Sequence, residues 1–451
     1  MERIAGVAKA GYTIFFLAAG RALIESRLRW LEGYRRMGAR ERAEERDRLL
    51  VRLYRFAWDR VPFYRGLYES SGLGRADVTG LRDLPKLPLV SKAMLKAAPL
   101  RDLRGPRWRA SAVMRMSTSG SSGAPFVFYR SLELLLMNAA QLLSYLDLWH
   151  VPARRSVIFI LYNADPTIGV PIRQGSRFAP FSSTGSVDPA LPARDIARAI
   201  RERRPDCVVS IPSTIEEAVD AMARAGGDAA ACPADIVFAL GAEVLTDRLR
   251  RKIARAFPRS HVFSIYNAVE TGMMAFSCEH GGGMHVNDYA VVLEEGNRVT
   301  DADGSTYVAP ILTNLWSYGT PVIRYTGIED LLQTGPRACG CGLGDTMITR
   351  IIGRESEFLH GPDGRTCSVD IMAAAHADLD GVERFQYVQS GPAALTLRYV
   401  PLPGADRAAI ARTAEAAVRK LLGPSIGFSA EAAERLGGRT ATLKVPLLVR
   451  Q

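Results

Sequence analysis

Cysteines and long apolar runs are both scarce in this sequence, and each shortage excludes a class of protein. Six cysteines among 451 residues are too few for a disulfide scaffold, which favours a reducing compartment and predicts a cytoplasmic protein. The apolar run at 11–20 has about ten residues, whereas a membrane-spanning helix needs roughly 20. This run faintly resembles a signal peptide, but helical spacing continues after it. We therefore expect a packing helix and no membrane association.

Acidic residues are outnumbered by basic ones, while the rest of the composition is that of an ordinary globular protein. The chain has 58 Lys+Arg against 47 Asp+Glu, a formal net charge of +11. We interpret this excess as a solvated, arginine-rich surface and expect no nucleic-acid partner. The length predicts two or three lobes, and the sequence leaves open whether the protein is a monomer or a homodimer.

Strand and helix patterns alternate through the middle of the chain. Short apolar strands such as "SVIFILY" (156–162) and "DCVVSIPS" (206–213) are separated by helical stretches such as "ARDIARAIRER" (193–203). This alternation is typical of an α/β fold in which helices cover both faces of a parallel sheet. A helical segment is expected before it, at 1–100. A β-rich part is expected after it, at 286–335, with turns at Gly296-Asn297 and Asp303-Gly304.

A second, smaller pattern follows the stretch "IIGRESEF", which has the character of a hinge. It consists of the strand-like stretches "RFQYVQS" and "ALTLRYV", a long helix and a closing strand. We therefore expect a large N-terminal domain over 1–354 and a small, mobile α+β domain over 355–451.

Three loops carry the residue types that bind phosphate and metal. The loop "STSGSSGAP" (117–125) is rich in glycine and hydroxyl groups, so its backbone amides can curl around an anion. It is not a Walker A loop, because no Lys-Ser/Thr pair follows the glycine. Gly-Ala-Glu at 241–243 and "YNAVET" at 266–271 each follow a strand directly, where open α/β sheets bind ligands. Glu270 offers the hard oxygen ligands that Mg²⁺ takes.

The order of these motifs along the chain resembles that of the adenylate-forming ligases, the acyl- and aryl-CoA synthetase superfamily. It resembles in particular the short branch around the phenylacetate–CoA ligases and the CapK-like capsule-biosynthesis proteins. The motifs that carry the resemblance are "FAWDRVPFYRGLYE" (56–69), "STSGSSGAP", "GAE", "YNAVET", "PVIRYTGIEDL" (321–331), "GRESEF" (353–358) and "GGRTATLKV" (437–445). Together they cover nearly the whole chain.

The resemblance implies a reaction in two steps. A small carboxylic acid attacks the α-phosphate of Mg-ATP to give an acyl-adenylate and pyrophosphate. The acyl group then passes to coenzyme A, to an amine or to a carrier protein. No carrier domain is recognisable in the sequence, so the acceptor is expected to be a separate molecule.

The resemblance also assigns roles to individual residues. The ATP phosphates fall to Thr118, Ser119, Gly120, Ser121, Ser122 and Gly123, and the adenine to Gly241, Ala242, Glu243 and Tyr266. Asn267 is expected to bind ATP as well. Glu270 corresponds to the Mg²⁺ ligand and is expected to act in catalysis. Arg354 and a carboxylate after Thr-Gly correspond to the ribose contacts. Because Ile328 is inserted there, Glu329 and Asp330 both qualify, and we favour Asp330. Lys444 corresponds to the catalytic lysine, which would neutralise charge developing at the α-phosphate.

The sequence departs from the family pattern at three positions, Phe126, Ser356 and Leu443. Leu443 stands where a glycine usually precedes the lysine, so Arg439 is an alternative to Lys444 as the catalytic cation. These departures keep a second interpretation open, in which the chain is a catalytically weak scaffold in a polysaccharide or natural-product pathway.

A set of cysteines and histidines has the residue types of a metal centre. Cys278, His280 and His285 are followed about 60 residues later by Cys339 and Cys341, and zinc takes four such ligands in a structural site. Spacing alone leaves zinc and buried thiols both open. The resemblance to the phenylacetate–CoA ligase branch, some members of which bind zinc, favours structural Zn²⁺. The Cys-x6-His spacing favours His285 over His280.

The acid is expected to bind between the phosphate loop and the ends of the neighbouring strands. Candidate lining residues are Tyr162, Asn163, Ser210, Pro212 and Asn267. Apolar walls with single polar groups suit an aryl or heteroaryl acid, but the sequence does not identify the acid.

Overall fold

The structure of the chain is a computed structural model. It describes residues 22–104, 113–117, 126–151, 156–160, 183–186, 191–225, 232, 234–300, 304–336, 339–341, 343, 346–354, 357–376, 379–436 and 447–450, with the backbone alone at 113–117, 183–186, 336 and 354. Several predictions concern residues outside these ranges. They are those on the run at 11–20, the phosphate loop 118–123, Tyr162, Asn163, Asp303 of the predicted turn Asp303-Gly304, Ser356, Arg439, Leu443 and Lys444.

Helices form the described part of the expected N-terminal helical segment. They are α1 (22–36), α2 (Ala39–Arg60), α3 (Pro62–Ser70), a 3₁₀ helix (Leu81–Lys86) and α4 (Lys92–Ala97). Pro62 stands in the first turn of α3, where its missing N–H is not needed. The Ser91 side chain accepts a hydrogen bond from the Met94 amide and so caps α4, as the sequence predicts. None of the described helices is long and apolar enough to span a bilayer.

An eleven-stranded sheet forms the centre of the molecule, and its first part is parallel. The parallel strands are β3 (Ser156–Ile160), β4 (Ser183–Ser186), β5 (Cys207–Ser210), β6 (Val237–Gly241) and β7 (His261–Ala268), in the order β4-β3-β5-β6-β7. Helix α5 (Leu132–Leu148) packs on one face. The other face is covered by α6 (Ala193–Arg203), α7 (Pro212–Ala225) and α8 (Asp247–Ala256). This confirms the predicted α/β class, because strands buried on both faces need near-continuous apolar sequences.

The rest of this sheet is antiparallel and continues directly from β7. Its strands are β8 (Gly272–Ser277), β9 (Met284–Val286), β10 (Val291–Thr300), β11 (Thr306–Asn314), β12 (Asp330–Pro336) and β13 (Thr346–Arg354), in the order β8-β9-β13-β12-β11-β10. A separate hairpin, β1 (Val113–Ser117) with β2 (Val127–Ser131), flanks the phosphate loop. The N-terminal helices pack their apolar residues against the antiparallel part in one large core.

Two local predictions in the β-rich part are wrong. Gly296-Asn297 does not form a turn, because β10 runs through it with a register shift between Glu295 and Arg298. A Cβ on Gly296 would lie 2.7 Å from the Ala309 carbonyl oxygen, so the glycine permits close approach of the neighbouring strand. The stretch "PVIRYT" is not a regular strand, and Tyr325 makes only isolated bridges to Val90 and Leu312.

The C-terminal part forms its own four-stranded sheet in the order β18-β17-β16-β19. Its elements are β14 (Phe358–His360), β15 (Thr366–Ser368), α9 (Val369–Ala375), β16 (Val382–Gln389), β17 (Ala394–Pro401), α10 (Arg407–Leu422), β18 (Gly427–Ala432) and β19 (Leu448–Arg450). Helices α9 and α10 share one apolar core with this sheet. Tyr307, Leu331 and Ile352 of the large sheet extend that core, and the domain boundary at 354/355 stays a prediction.

Candidate active site and metal centre

The turn after β6 lies against the end of β7, and its backbone conformation explains its sequence. Ala242 has a left-handed backbone with φ 68°, and its N–H donates to Oδ1 of Asn267 over 3.1 Å. A Cβ on Gly241 would lie 2.8 Å from the Ile265 carbonyl oxygen, so only glycine lets the two strand ends approach this closely. Three of the predicted ATP-binding residues, Gly241, Ala242 and Asn267, thus meet at one edge of the sheet.

Glu243 is anchored to the first turn of α7. Its two carboxylate oxygens accept hydrogen bonds from the Ser213 amide, at 2.8 Å, and the Ser213 hydroxyl, at 3.0 Å. A carboxylate satisfies unpaired amides at a helix N-terminus and is favoured there by the helix dipole. Glu243 therefore joins the turn after β6 to the start of α7.

Tyr266 and Asp330 come together from two strands that are not neighbours in the sheet. The buried Tyr266 hydroxyl lies 3.0 Å from Oδ2 of Asp330. Glu329 instead faces Lys92, whose Nζ lies 3.7 Å from its Oε1. Of the two alternatives left open by the sequence, Asp330 is therefore the one that shares the Tyr266 edge. Its backbone pairs with that of Arg354.

Glu270 is buried in the turn that follows β7. Its Oε1 lies 3.4 Å from the Tyr325 hydroxyl. Burial raises the pKa of this carboxyl, while the cations Lys92 and Arg130 oppose the rise. A buried carboxylate without full compensation is a fitting ligand for a hard divalent cation, which restores the lost charge balance. Glu270 thus fits the role of a Mg²⁺ ligand chemically.

Arg130, a residue that the motif analysis did not single out, braces the backbone next to Glu270. Its Nε donates to the Val269 carbonyl and its Nη2 to the Ala268 carbonyl, both at 2.8 Å. Burial lowers the pKa of this guanidinium to about 10. The sequence does hold a signal for this residue. Arg130 follows the buried Phe126 and Phe128 at intervals of two residues, so all three side chains lie on the same side of the strand. A cation on the inward face of a strand needs partners.

The hairpin that carries the phosphate loop is fixed at its base. Ser117 pairs with Val127 in the β1–β2 register, so the two ends of the loop lie side by side. The Tyr129 amide and carbonyl both bond Thr320, through its Oγ1 at 3.2 Å and its N–H at 2.8 Å. Phe126 packs edge-on against Phe128 with ring centroids 4.6 Å apart. This departure from the family pattern therefore places an apolar core residue directly after the loop.

The predicted metal ligands form one cluster near β8 and β9. Cys278, His285, Cys339 and Cys341 have all their ligand atoms within 4.8 Å of one another. His285 Nε2 lies 3.3 Å from the Cys278 sulfur and 3.2 Å from the Cys341 sulfur, and the Cys278 and Cys339 sulfurs lie 3.4 Å apart. A zinc tetrahedron with Zn–S bonds of about 2.3 Å has edges of about 3.7 Å. The donor set and spacing therefore fit Zn²⁺.

The protonation of the cluster also suits a metal. Burial, followed by the hydrogen bond with Cys339, raises the pKa of the Cys278 thiol to about 12, because both favour the neutral thiol over the thiolate. A bound divalent cation deprotonates such thiols. His280 lies outside the cluster, exposed and 3.9 Å from the Glu279 carboxylate, so the geometry agrees with the choice of His285.

Several other residues that the sequence raised have structural surroundings. The buried Ser210 hydroxyl donates to the Ile160 carbonyl over 2.9 Å, so it joins β5 to β3 and is not a free group for an acid. The three cysteines outside the cluster, Cys207, Cys232 and Cys367, are buried free thiols. His376 is buried, with Nδ1 on the Tyr387 hydroxyl and Nε2 3.1 Å from the Ala414 carbonyl.

Comparison with known proteins gives one similar curated sequence and a shared fold. No established family profile matches the chain. The phenylacetate-coenzyme A ligase of Thermus thermophilus is 25% identical over 330 residues, which cover 70% of this chain and 71% of the ligase. A 2-hydroxyisobutyryl-CoA ligase in the postadenylation state superposes with a TM-score of 0.75 at 18% identity, covering 92% of this chain and 90% of the ligase. The same ligase in the thioesterification state gives a TM-score of 0.58 at 18% identity and the same coverage.

The fold is that of the adenylate-forming enzymes, and the similarity in sequence to a phenylacetate-coenzyme A ligase agrees with it. The resemblance drawn from the motifs is thus confirmed.

Proposed function

We propose that the chain is an ATP-dependent ligase that activates an aryl or heteroaryl carboxylic acid as its acyl-adenylate and transfers the acyl group to coenzyme A. The observation that carries the proposal is the convergence of Gly241, Ala242, Tyr266, Glu270 and Asp330 at the edge where β6 and β7 end. Ligands of open α/β sheets bind at such an edge. The similarity to a phenylacetate-coenzyme A ligase supports the choice of acid and acceptor.

In the first step a carboxylate oxygen attacks the α-phosphorus of ATP, and the bond to the bridging oxygen of the β-phosphate breaks. Pyrophosphate leaves with that oxygen. The phosphates would be held by the loop 118–123, the adenine by the turn 241–243 and Tyr266, and the ribose by Asp330 and Arg354. Mg²⁺, when bound at Glu270, would offset phosphate charge. Lys444, or Arg439 in its place, would supply a cation at the reacting centre.

In the second step the thiol sulfur attacks the acyl carbon, AMP leaves with the bonding electrons, and the thiol proton passes to solvent. The acid is proposed to be aryl or heteroaryl because the relative of 25% identity is a ligase of phenylacetate. We propose coenzyme A as acceptor because that relative and the superposed ligase are both named as CoA ligases. An amine or a carrier protein as acceptor is an outcome that the test below distinguishes.

The cluster of Cys278, His285, Cys339 and Cys341 is proposed to hold a structural Zn²⁺. Four protein ligands close the coordination sphere, which leaves no position for a substrate. The ligands come from the end of β8, from β9 and from the connection between β12 and β13. The metal would therefore join the two halves of the antiparallel part of the sheet and would not take part in the chemistry.

The proposal is tested by acid-dependent release of pyrophosphate from Mg-ATP across a panel of aryl, arylacetic, heteroaryl and amino acids. Mass spectrometry of the products follows, with and without coenzyme A and simple amines. Release with one acid class and a thioester product supports the proposal. An amide product would show that the acceptor is an amine and not coenzyme A. Tight ATP binding without turnover on any acid would favour the weakly active scaffold. Absence of ATP binding would overturn the assignment of the nucleotide site.

A further inference from the structure

Arg324 is held in a left-handed backbone conformation, with φ 46°. This conformation is unfavourable for a residue with a side chain and persists only where the surroundings impose it. The Arg324 amide donates to the Thr313 hydroxyl over 3.0 Å. Its carbonyl accepts a hydrogen bond from the Val90 amide, also over 3.0 Å. Contacts on both sides of the peptide therefore hold Arg324 in a strained conformation.

The Arg324 guanidinium adds a second set of contacts. It forms a forked ion pair with Glu294 of β10, with Nε 3.2 Å from Oε2 and Nη2 3.1 Å from Oε1. Its Nη1 donates to the Leu87 carbonyl over 2.6 Å and to the Pro85 carbonyl over 3.2 Å. The side chains of the ion pair are only 14% and 21% exposed, so salt screens the pair less than a surface pair. The Arg324 side chain thus joins β10 to the segment that precedes α4.

Tyr325 follows directly and is completely buried. Its amide donates to the Leu312 carbonyl over 2.8 Å, and its carbonyl accepts from the Leu312 amide over 2.9 Å. Its ring lies edge-on to that of Phe128, with the centroids 6.1 Å apart. A Cβ on Gly327 would lie 2.1 Å from the Tyr325 hydroxyl, so only glycine leaves room for the ring at this position. The backbone and the ring of Tyr325 are therefore both confined.

The hydroxyl at the end of this confined ring reaches the buried Glu270, with 3.4 Å between the hydroxyl and Oε1. A tyrosine hydroxyl donates a hydrogen bond to a carboxylate, which only accepts. The cations Lys92 and Arg130 also act on Glu270 through their charge. Charge favours the ionised carboxylate, whereas a hydrogen bond to one oxygen also favours one orientation of it. Tyr325 thus contacts Glu270 in a way that sets its geometry.

We propose that Arg324 and Tyr325 are positioning residues for Glu270. Arg324 holds the strained backbone that directs the Tyr325 hydroxyl to Oε1, and this hydrogen bond orients the carboxylate for the divalent cation that accompanies ATP. Hydrogen-bond partners of a metal-binding side chain typically change metal affinity 10–100-fold when they are removed. The proposal rests on the proposed function through the assignment of Glu270 as the Mg²⁺ ligand.

The test measures the binding of Mn²⁺, a paramagnetic substitute for Mg²⁺, to the full chain in the presence of α,β-methylene-ATP. This analogue is not cleaved between the α- and β-phosphates, so electron paramagnetic resonance reports metal affinity without turnover. Tyr325→Phe removes the hydroxyl and keeps the ring. Tyr64→Phe is the matched control, because Tyr64 is also completely buried and its hydroxyl donates over 2.8 Å to the carbonyl of Pro321. Glu270→Gln gives the loss of affinity that follows removal of the carboxylate charge.

Tyr325→Phe is expected to lower the affinity for Mn²⁺ on the order of tenfold, and Glu270→Gln by at least as much. Tyr64→Phe also loses a buried hydrogen bond, so its melting temperature is expected to fall while its affinity for Mn²⁺ stays that of the unmodified chain. A purely structural role for Tyr325 would give it the same behaviour as Tyr64. Tyr325→Phe with unchanged affinity for Mn²⁺ would therefore overturn the proposal.

Arg324→Gly tests whether Arg324 acts through Tyr325. Glycine adopts the left-handed conformation without strain but lacks the guanidinium contacts. The substitution is made in the unmodified chain and in Tyr325→Phe. It is expected to lower the affinity for Mn²⁺ about threefold in the first and to leave it unchanged in the second, because the effect requires the hydroxyl. Equal losses in both chains would show that Arg324 does not act through Tyr325 and would overturn its positioning role.

The failure of this proposal differs from the failure of the proposed function. Acid-dependent pyrophosphate release together with unchanged Mn²⁺ affinity in Tyr325→Phe would support the ligase and overturn the positioning role. The expected affinities without pyrophosphate release on any acid would support the positioning role and overturn the ligase. Unchanged Mn²⁺ affinity in Glu270→Gln would overturn the assignment of Glu270 as a metal ligand and the positioning role with it.

Discussion

The hydroxyl of Tyr266 donates a 3.0 Å hydrogen bond to Oδ2 of Asp330. These residues stand on β7 and β12, which are separated by three strands in the sheet order β12-β13-β9-β8-β7. The bond therefore links two strands that the backbone hydrogen bonds of the sheet do not join directly. It fixes the orientation of the Asp330 carboxylate at this edge of the sheet.

The role of the Tyr266–Asp330 bond can be tested because the neighbouring carboxylate, Glu329, does not take part in it. If Asp330 holds the ribose as proposed, Asp330→Ala is expected to raise the Kd for ATP on the order of 30-fold, because a hydrogen bond to a carboxylate contributes roughly 2 kcal/mol. Tyr266→Phe keeps the ring and removes the orienting hydroxyl, so a smaller rise of about threefold is expected. Glu329→Ala is the matched control, since its carboxylate faces Lys92. Titration calorimetry with ATP measures all three variants, and a larger effect at Glu329 would contradict the assignment.

Two variants of Arg130 test whether its positive charge or its hydrogen-bonding geometry stabilises the fold. Its two hydrogen bonds hold the carbonyls of Ala268 and Val269, directly before Glu270. Arg130→Met leaves both carbonyls without these donors, so the free energy of unfolding is expected to fall by about 2 kcal/mol. Arg130→Lys keeps the charge but cannot form the same fork, and is expected to restore part of the stability only.

The readout that tests a positioning role for Arg130 is the Mg²⁺ dependence of the reaction. If Arg130 sets the Glu270 turn, both variants shift the Mg²⁺ concentration for half-maximal activity upward, while the stability loss is confined mainly to the methionine variant. Arg298→Met is the control, because Arg298 pairs with Glu295 on the surface at 69% exposure and such changes alter stability by less than about 0.5 kcal/mol. An unchanged Mg²⁺ dependence in both Arg130 variants would show that Arg130 stabilises the fold without positioning Glu270.

The elements that the sequence predicts well are those whose signal is local. Helices α6 and α10 follow from apolar periodicity, and the strands β5 and β6 follow from short apolar runs. Gly296-Asn297 carries the local signal of a hairpin turn as well, but the close approach of Ala309 from the neighbouring strand decides that it is a bulge. Such a decision depends on the partner strand, which a single stretch of sequence does not contain.

The candidate site likewise has features with a local signal in the sequence and features that depend on distant residues. The motifs at 241–243 and 266–271 are predictable because they directly follow strands of one parallel sheet, whose ends must meet. The contacts of Arg130 with Ala268 and Val269 span more than 130 residues, and nothing in the motif order announces them. The choice between Glu329 and Asp330 likewise depends on Tyr266, more than 60 residues away. The residue types at the candidate site could therefore be predicted from the sequence, but the hydrogen bonds between these residues could not.

The metal centre predicts a joint loss of metal and stability. Cys339→Ser removes one of four ligands, so zinc content by plasma mass spectrometry is expected to fall from about one per chain to near zero. The melting temperature is expected to fall on the order of 5–10 °C. Cys367→Ser is the control, because Cys367 is buried away from the cluster and its loss destabilises without releasing metal. An unmodified chain that contains no zinc would end this proposal.

Asp370 predicts a pH dependence at the hinge. A Cβ on Gly353 would lie 2.6 Å from its Oδ2 and 3.0 Å from Glu357 Oε2, so two carboxylates meet against the backbone of the last residues of β13. Burial, followed by Glu357 and Asp330 and opposed by Arg350, raises the pKa of Asp370 to about 7. The folded chain therefore holds a proton on Asp370 that the unfolded chain, with an ordinary pKa near 3.9, releases. The stability associated with this proton is present at pH 4 and is lost as the pH rises toward 7.

Asp370→Asn should remove this dependence, since the amide has nearly the shape of the protonated carboxyl and does not ionise. At pH 4.5 the variant and the unmodified chain are expected to have similar free energies of unfolding. At pH 8 the variant is expected to be more stable by about 2 kcal/mol. Asp363→Asn, on an exposed turn of the same part of the chain, is the control and should give parallel pH profiles. Urea unfolding at pH 4.5, 6 and 8 measures the difference. A variant that is less stable at pH 8 would mean that the Asp370 carboxylate is favoured in its charged form, and the buried acid pair would then have a cation between its members.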